Sequence, residues 1–221
     1  MYALPYIGKY FRQVVKVEMD RIIIGIDIDG TINEAHKYDI IHGREFCEMH
    51  NLHPVEKLNN LSVKDMFGLD DQLYNEYMSK YFAWNVRCNH VKLSAAETIR
   101  NWSRDGHIIK IVTARDPNYQ GTYSGLHMMY DTQRWLIRHR IPCNEILFGS
   151  TDKAKVCKEN GIDVMIDDDP KHILSVAEVP GILAIIAGQS YNEYLIGTKS
   201  TVWCADWIEI RDVVHELTTM Y

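Results

Sequence analysis

The sequence predicts a doubly wound α/β fold built on a mostly parallel, Rossmann-like sheet. Three observations carry that expectation. Five short apolar runs recur along the chain, helical patterns fill the intervals between them, and acids, a threonine and a lysine gather just past the ends of those runs. The runs are near-continuously apolar rather than alternating, which implies strands covered on both faces, as in a parallel sheet.

Taken in order, residues 1–20 form an N-terminal extension. Their charges come too early for a signal-peptide apolar core, and they suit a short helix packed on the domain. "RIIIGID", from Arg21 to Asp27, reads as the first strand. Between Thr31 and Ser94 lie ~60 residues without a good central strand, far more than an ordinary connection. They contain the helical pieces "REFCEMHNL", "LSVKDMFGL" and "DDQLYNEYMSKYFAW", so residues 33–91 read as a small helical insertion. The core is then 21–32 together with 92–221. An insertion at the carboxyl edge of the first strand, where such folds bind ligands, suits a lid. A helix follows from Ser94, with Glu97 three residues on as a capping box and Gly106 as its stop. "HIIKIVTA" from His107 to Ala114 is the second strand. Leu126 to Arg140 reads as a helix whose apolar face carries Met129, Trp135, Leu136 and Ile137. "EILFG" (Glu145 to Gly149) is a strand, and "DKAKVCKENG" is a helix stopped at Asn160-Gly161. "DVMID" (Asp163 to Asp167) and "GILAIIAG" (Gly181 to Gly188) are the last two strands, and Ala205 to Met220 suits a closing helix.

Composition narrows the function classes. The 221 residues are 46% hydrophobic and 24% charged, enough for one domain with a sizeable core. A net charge of −6 argues against a polymeric nucleic acid as partner, though not against a small phosphorylated substrate. No apolar run reaches the ~18 residues of a membrane span. The five cysteines, Cys47, Cys88, Cys143, Cys157 and Cys204, are odd in number and hold no C-x-x-C pair. Neither a disulfide framework nor a zinc site is expected, and reduced thiols point to a cytoplasmic protein.

The chemistry lies at the strand ends. Asp27 and Asp29 end the first strand, Thr113 the second, and Asp167 to Asp169 the fourth, while Lys153 opens the helix before it. The carboxyl ends of neighbouring strands converge on one crevice, so these groups should share a small site. Carboxylates that close repel unless a cation intervenes, and an all-oxygen acidic site suits a hard ion, Mg²⁺ by default for phosphate chemistry. Asp27 can then attack phosphorus to give an aspartyl-phosphate. Asp29, aimed the same way by a turn at Gly30, can serve as general acid and then general base. Lys153 and Thr113 can balance the charge of the transferred phosphoryl group, with backbone N–H groups around Gly30 and Ala114 adding to them. Gly30, Thr31, Ala114 and Arg115 are accordingly the candidate substrate-binding residues, Arg115 being equally suited to pair with a local acid. Asp169 suits a helix N-cap ahead of Pro170. His36, His42, His50 and His53 read as ordinary surface or core histidines, and Tyr74, Tyr77, Tyr81, Phe82 and Trp84 as packing within the insertion.

D-x-D-G-T at Asp27 to Thr31, Thr113, Lys153 and the pair Asp167-Asp168 resemble, in order, the four motifs of the haloacid dehalogenase-like (HAD) phosphohydrolases. The similarity runs roughly from Arg21 to Gly188. The resemblance implies a HAD-like core with a helical C1-type cap after the first strand. It implies Asp27 as nucleophile, Asp29 as acid/base, and Thr113 and Lys153 on the phosphoryl group. Mg²⁺ would be held by Asp27, the backbone carbonyl of Asp29, and Asp167 and Asp168, mainly the latter. Within that family "GHIIKIVTARD", "TQRWLIRHRIP", "DKAKVCKENGIDVMIDDDPKH" and "YNEY" look most like the 5′-nucleotidase group, which includes the deoxyribonucleotidases. Thr31-Ile32-Asn33-Glu34 departs from the small apolar residue and later aromatic usual there. The expected activity is therefore a Mg²⁺-dependent phosphomonoesterase, a 5′-nucleotidase first, with a sugar-phosphate or other small-molecule phosphatase, or an inactive HAD-like scaffold, as alternatives. A receiver domain gathers similar groups, but in a different order and without the insertion.

Overall fold

The computed structural model describes residues 21–121, 123–198 and 200–219. The helix expected within residues 1–20 lies outside the described residues. Six strands form one sheet in the order β3-β2-β1-β4-β5-β6, every neighbouring pair parallel. They are β1 (Ile23–Ile26), β2 (Ile108–Val112), β3 (Glu145–Leu147), β4 (Val164–Asp167), β5 (Leu183–Ala187) and β6 (Val202–Cys204). The order runs outward in both directions from β1 and β4, so the topological switch point falls between them.

The sheet is covered on both faces. Along β5, Leu183, Ile185 and Ala187 join one core cluster while Ala184 and Ile186 join the other, the period-two alternation of a strand. The first cluster takes Trp102 from helix α4 (Ala95–Arg104) and Trp207, Ile210 and Val213 from helix α8 (Trp207–Thr219). The second takes Cys157 from helix α6 (Lys153–Glu159) and Ile173 and Val176 from helix α7 (Pro170–Ala177). Ile24, Ile26, Ile111 and Ile166 are fully buried, each such side chain stabilising the fold by about 1.5–3 kcal/mol. Strand pairing and core together fix where each strand ends, and so where its terminal side chain points.

Between β1 and α4 the chain builds three helices, α1 (Ala35–Met49), α2 (Val63–Phe67) and α3 (Asp71–Cys88). They share their own apolar cluster, including Phe46, Val63, Met66, Phe67, Tyr77 and Tyr81. Gly43 is required there, because a Cβ would overlap the Phe67 ring. Ser62 caps α2 through Lys64 N at 3.2 Å, and Asp70 caps α3 through Leu73 N at 2.9 Å. The neck of this insertion is closed by an antiparallel bridge between Asn33 and Val91, flanked by Glu34 N to His90 O at 2.9 Å and Lys92 N to Ile32 O at 2.8 Å. Helix α3 also packs on helix α5 (Gly125–Arg138), where Trp135 Nε1 donates to Asn89 O at 2.8 Å and Arg87 pairs with Asp131 at 2.6 Å.

Three sequence expectations are corrected. The capping box at Ser94 does not form: Ser94 sits in the left-handed region at φ 66° and its side chain caps nothing, because the neck delivers the chain to α4 through a tight turn. Helix α5 buries Met128, Thr132, Trp135 and Leu136 at i, i+4, i+7 and i+8, which leaves Ile137 74% exposed. Strand β6 has no counterpart among the expected strands, since its three residues at the sheet edge are too few for a pattern to show. All five cysteines are free, and no helix among the described residues is long and apolar enough to cross a membrane.

Candidate active site

Register places the chemistry. Asp27 follows β1 directly, Thr113 follows β2, and Asp167 is the last residue of β4, with β1 hydrogen-bonded between the other two strands. Lys153 is the first residue of α6, held there by the Asp152 cap, whose carboxylate accepts from Lys155 N at 3.0 Å. Its ammonium is only 1% exposed and lies 2.6 Å from Asp27 Oδ1 and 2.6 Å from Asp167 Oδ2, the first contact having hydrogen-bond geometry and the second that of an ion pair. Burial alone would favour loss of its proton, but Asp167 and Asp27 outweigh that and raise its pKa.

Asp27, Asp167 and Asp168 are buried, and each offers an oxygen within 4.8 Å of the others. Burial pushes the Asp27 pKa well up, Lys153 opposes this, and Asp167, Asp168 and Asp29 push the same way as burial. Burial and then Asp167 raise Asp168 to about 6. With Asp29 included, four carboxylates face two close cations, Lys153 and Arg115. That residual negative charge on hard oxygen donors fits a divalent ion of the Mg²⁺ class at Asp27, Asp167 and Asp168. Asp168 is oriented for such a role: Thr31 Oγ1 donates to its Oδ1 at 2.7 Å, Tyr191 OH donates to its Oδ2, and Asn192 Nδ2 holds its carbonyl at 2.8 Å.

Asp29 is held differently. Arg115 Nε donates to Oδ2 at 2.8 Å and Nη2 to Oδ1 at 2.7 Å, a bidentate pair, while Asn33 Nδ2 adds a bond to Oδ1 at 3.0 Å. Arg115 is itself fixed by Nη1 donating to Thr132 Oγ1 at 2.7 Å. Burial works to raise the Asp29 pKa, but the Arg115 charge and these hydrogen bonds prevail and hold it below the ordinary carboxylate value. The turn that separates the two acids is made at Gly30, at φ 82°, where a Cβ would also overlap the Asp168 carboxylate. Asn33 locks that turn, its Oδ1 accepting from Gly30 N and Ala35 N at 3.0 Å each.

The substrate-side residues fall into two groups. Thr113 is buried, with its oxygen accepting from Arg115 N at 3.3 Å so that its own hydrogen stays available, and Ala114 is exposed at the mouth. Gly30 and Thr31 are spoken for: the Gly30 amide is given to Asn33, its carbonyl accepts from Lys92 and Gln189, and Thr31 is turned onto Asp168. Arg115 meets Asp29, the second of the two roles open to it. Asp169 caps α7, accepting from Lys171 N at 2.8 Å. Sequence reasoning missed Asn33, Lys92, Thr132, Gln189 and Tyr191; only Asn33, an Asn three residues past a turn glycine, left a local signal.

No family model matches the chain, and none of the curated proteins matches it by sequence. Solved structures do match. A haloacid dehalogenase-like hydrolase from Streptococcus pneumoniae superposes with a TM-score of 0.60 at 13% identity, covering 89% of this chain and 98% of its own. The fold is HAD-like. A predicted phosphatase from Clostridium acetobutylicum gives 0.61 at 13% identity, over 88% of this chain and 98% of that one. A predicted phosphoglycolate phosphatase from Haemophilus somnus gives 0.59 at 16% identity, over 89% and 99%. In the HAD-like fold of this chain, the buried acids, Lys153 and Thr113 all lie at the carboxyl edge of the central strands.

Proposed function

We propose that the protein is a Mg²⁺-dependent phosphomonoesterase working through an aspartyl-phosphate on Asp27. The observation that carries this reading is the Asp27–Lys153–Asp167 cluster with Asp168 beside it, buried at the switch point of the sheet. Asp27, Asp167 and Asp168 would hold the ion, with the Asp29 carbonyl as the further donor that the motif implies. The ion would neutralise developing charge on the phosphoryl oxygens. Lys153 opposes the protonation that burial favours at Asp27, and a bound ion would add to that, leaving a carboxylate free to attack phosphorus as the ester oxygen departs. Thr113 donates its hydroxyl to the phosphoryl group. Asp29, ionised and oriented by Arg115 and Asn33, is set to take a proton from the water that later hydrolyses the aspartyl-phosphate, and returns it to the leaving oxygen in the next cycle.

The helices between β1 and α4 act as a cap whose lining selects the leaving group. A nucleoside monophosphate is one candidate substrate, supported by the surroundings of the motifs. A sugar phosphate is the other, supported by the polar pair Asp39 and Asn85 in the cap, hydrogen-bonded to each other, with Asp39 within electrostatic reach of Asp29. The direct test is hydrolysis of p-nitrophenyl phosphate with Mg²⁺ and with EDTA. Turnover with Mg²⁺ that EDTA abolishes is expected; no turnover under either condition by the folded protein would leave a binding scaffold. Beryllium fluoride with Mg²⁺ should add to Asp27, and an adduct on Asp29 would exchange the two roles.

A further inference from the structure

Asp39 lies on the second turn of α1, in the helical insertion, and it is an anomaly there. Its Oδ1 accepts from Tyr77 OH at 3.1 Å and from Asn85 Nδ2 at 3.0 Å, both groups of α3. Its Oδ2 receives no donor among the described residues, and neither does any Lys, Arg or His among them form an ion pair with it. The group is mostly buried, and Asp29 lies near enough for its charge to oppose that of Asp39. The phenol of Tyr74, also on α3, feels the Asp39 charge in turn, and Tyr119 from the loop after β2 stands close to Tyr74. One carboxylate oxygen is thus anchored by the insertion, while the other receives no donor among the described residues, and Asp29 of the strand-end site is within electrostatic reach of the group. A carboxylate that is mostly buried without a cation is costly, and such groups are retained where a ligand meets them.

We infer that Asp39 is a specificity-determining residue, its free oxygen accepting a hydrogen bond from a hydroxyl or amino group on the leaving group of the substrate. This rests on the phosphomonoesterase reading and deepens it. A donor on the leaving group relieves the unpaired oxygen; a second anionic group there meets Asp39 and Asp29 together and is repelled. The substrate class is therefore phosphomonoesters with an uncharged or cationic, donor-bearing leaving group, such as a polyol, sugar or nucleoside. Phosphomonoesters with a carboxylate on the leaving group are disfavoured where Asp39 is ionised, above about pH 7.

Matched pairs test this, because the two members differ only at the distal group: glycerol 3-phosphate against 3-phosphoglycerate, and glucitol 6-phosphate against 6-phosphogluconate. At pH 8, where Asp39 is ionised, the neutral member should be favoured in kcat/KM by about ten-fold or more, and Asp39→Asn should narrow that ratio to within about three-fold. The ratio is taken within one preparation, so partial loss of folded protein does not affect it. Where the Asp39 variant does not fold, Tyr77→Phe, which releases one anchor of the carboxylate, should narrow the same ratio. A native ratio at or below one, or a ratio unmoved in the variant that folds, overturns the inference and leaves the phosphatase reading standing. Failure of the native protein to hydrolyse these esters and p-nitrophenyl phosphate overturns the phosphatase reading, and the inference with it.

Discussion

At the sheet edge each carboxylate has an assigned partner: Lys153 for Asp27 and Asp167, Arg115 and Asn33 for Asp29, Thr31 and Tyr191 for Asp168. Among the described residues, Asp39 in the insertion has two neutral donors on one oxygen and no cation, and the buried atoms His42 Nδ1 and Tyr81 OH have no hydrogen-bond partner. The sheet edge pairs each carboxylate from within the chain and keeps a residual negative charge that a divalent ion would balance. The insertion leaves polar groups unsatisfied, which makes sense where a ligand supplies the missing bonds. On the proposed function, chemistry and specificity would be built in different ways, by the sheet edge and by the insertion.

Breaking the sheet-edge network should have the larger effects. Asp27→Asn should lower turnover of p-nitrophenyl phosphate by ~10⁴-fold while the melting temperature changes little, because the amide keeps the volume but cannot attack phosphorus. Appreciable residual turnover would remove Asp27 from the nucleophile role. Next comes Lys153→Met, which strands Asp27 and Asp167 side by side in a buried setting. It should cost about 3–4 kcal/mol in urea unfolding at pH 7, since removing one partner leaves uncompensated charge. A loss below about 1 kcal/mol would show that the acids simply protonate, and that the pairing is weaker than its geometry implies.

Arg115→Met separates the two roles the sequence left open for this residue. It touches Asp29 and Thr132 in the structure. A positioning role predicts a fall of about 10²-fold in kcat with KM nearly unchanged. A rise in KM with kcat retained would instead put the guanidinium on the substrate.

The same comparison explains what could be read from the amino acids alone. Strand ends were legible because runs such as Ile22–Ile26 and Val164–Ile166 are apolar on both faces, and a parallel sheet brings their termini together. Asp27, Thr113, Asp167 and Asp168 follow from that one rule, and Lys153 from its place at the start of the helix before β4. The partners of those residues were not legible. Thr132, Lys92 and Tyr191 reach the site from elements far away in the chain, and no local pattern marks a threonine on a helix as the anchor of an arginine. Gly30 and Thr31 also carry contacts that no local pattern announced, the Gly30 amide donating to Asn33 and the Thr31 hydroxyl to Asp168. In the insertion, tyrosines read as packing proved to be both: Tyr77 is buried in the apolar cluster, yet its hydroxyl anchors Asp39.

The smallest effect expected is on stability, and it isolates Asp39 from the rest. Burial, with Asp29 adding to it, raises the folded-state pKa of Asp39 to about 7, against an unfolded value near 3.9. Below about pH 4 the group is protonated in both states and contributes nothing to the difference. As pH rises from there toward 7, the unfolded chain ionises while the folded one resists, so stability falls; above 7 both are ionised and the loss levels off. Asp39→Asn keeps the acceptor for Tyr77 and Asn85 and removes the charge. Because the carboxylate is partly exposed, water screens part of the cost, and the variant should be more stable than the native protein by on the order of 1–2 kcal/mol at pH 8. The two urea midpoints should converge at pH 4. A variant no more stable at pH 8 would mean that a cation or solvent already compensates the carboxylate, and that the insertion is as self-contained as the sheet edge.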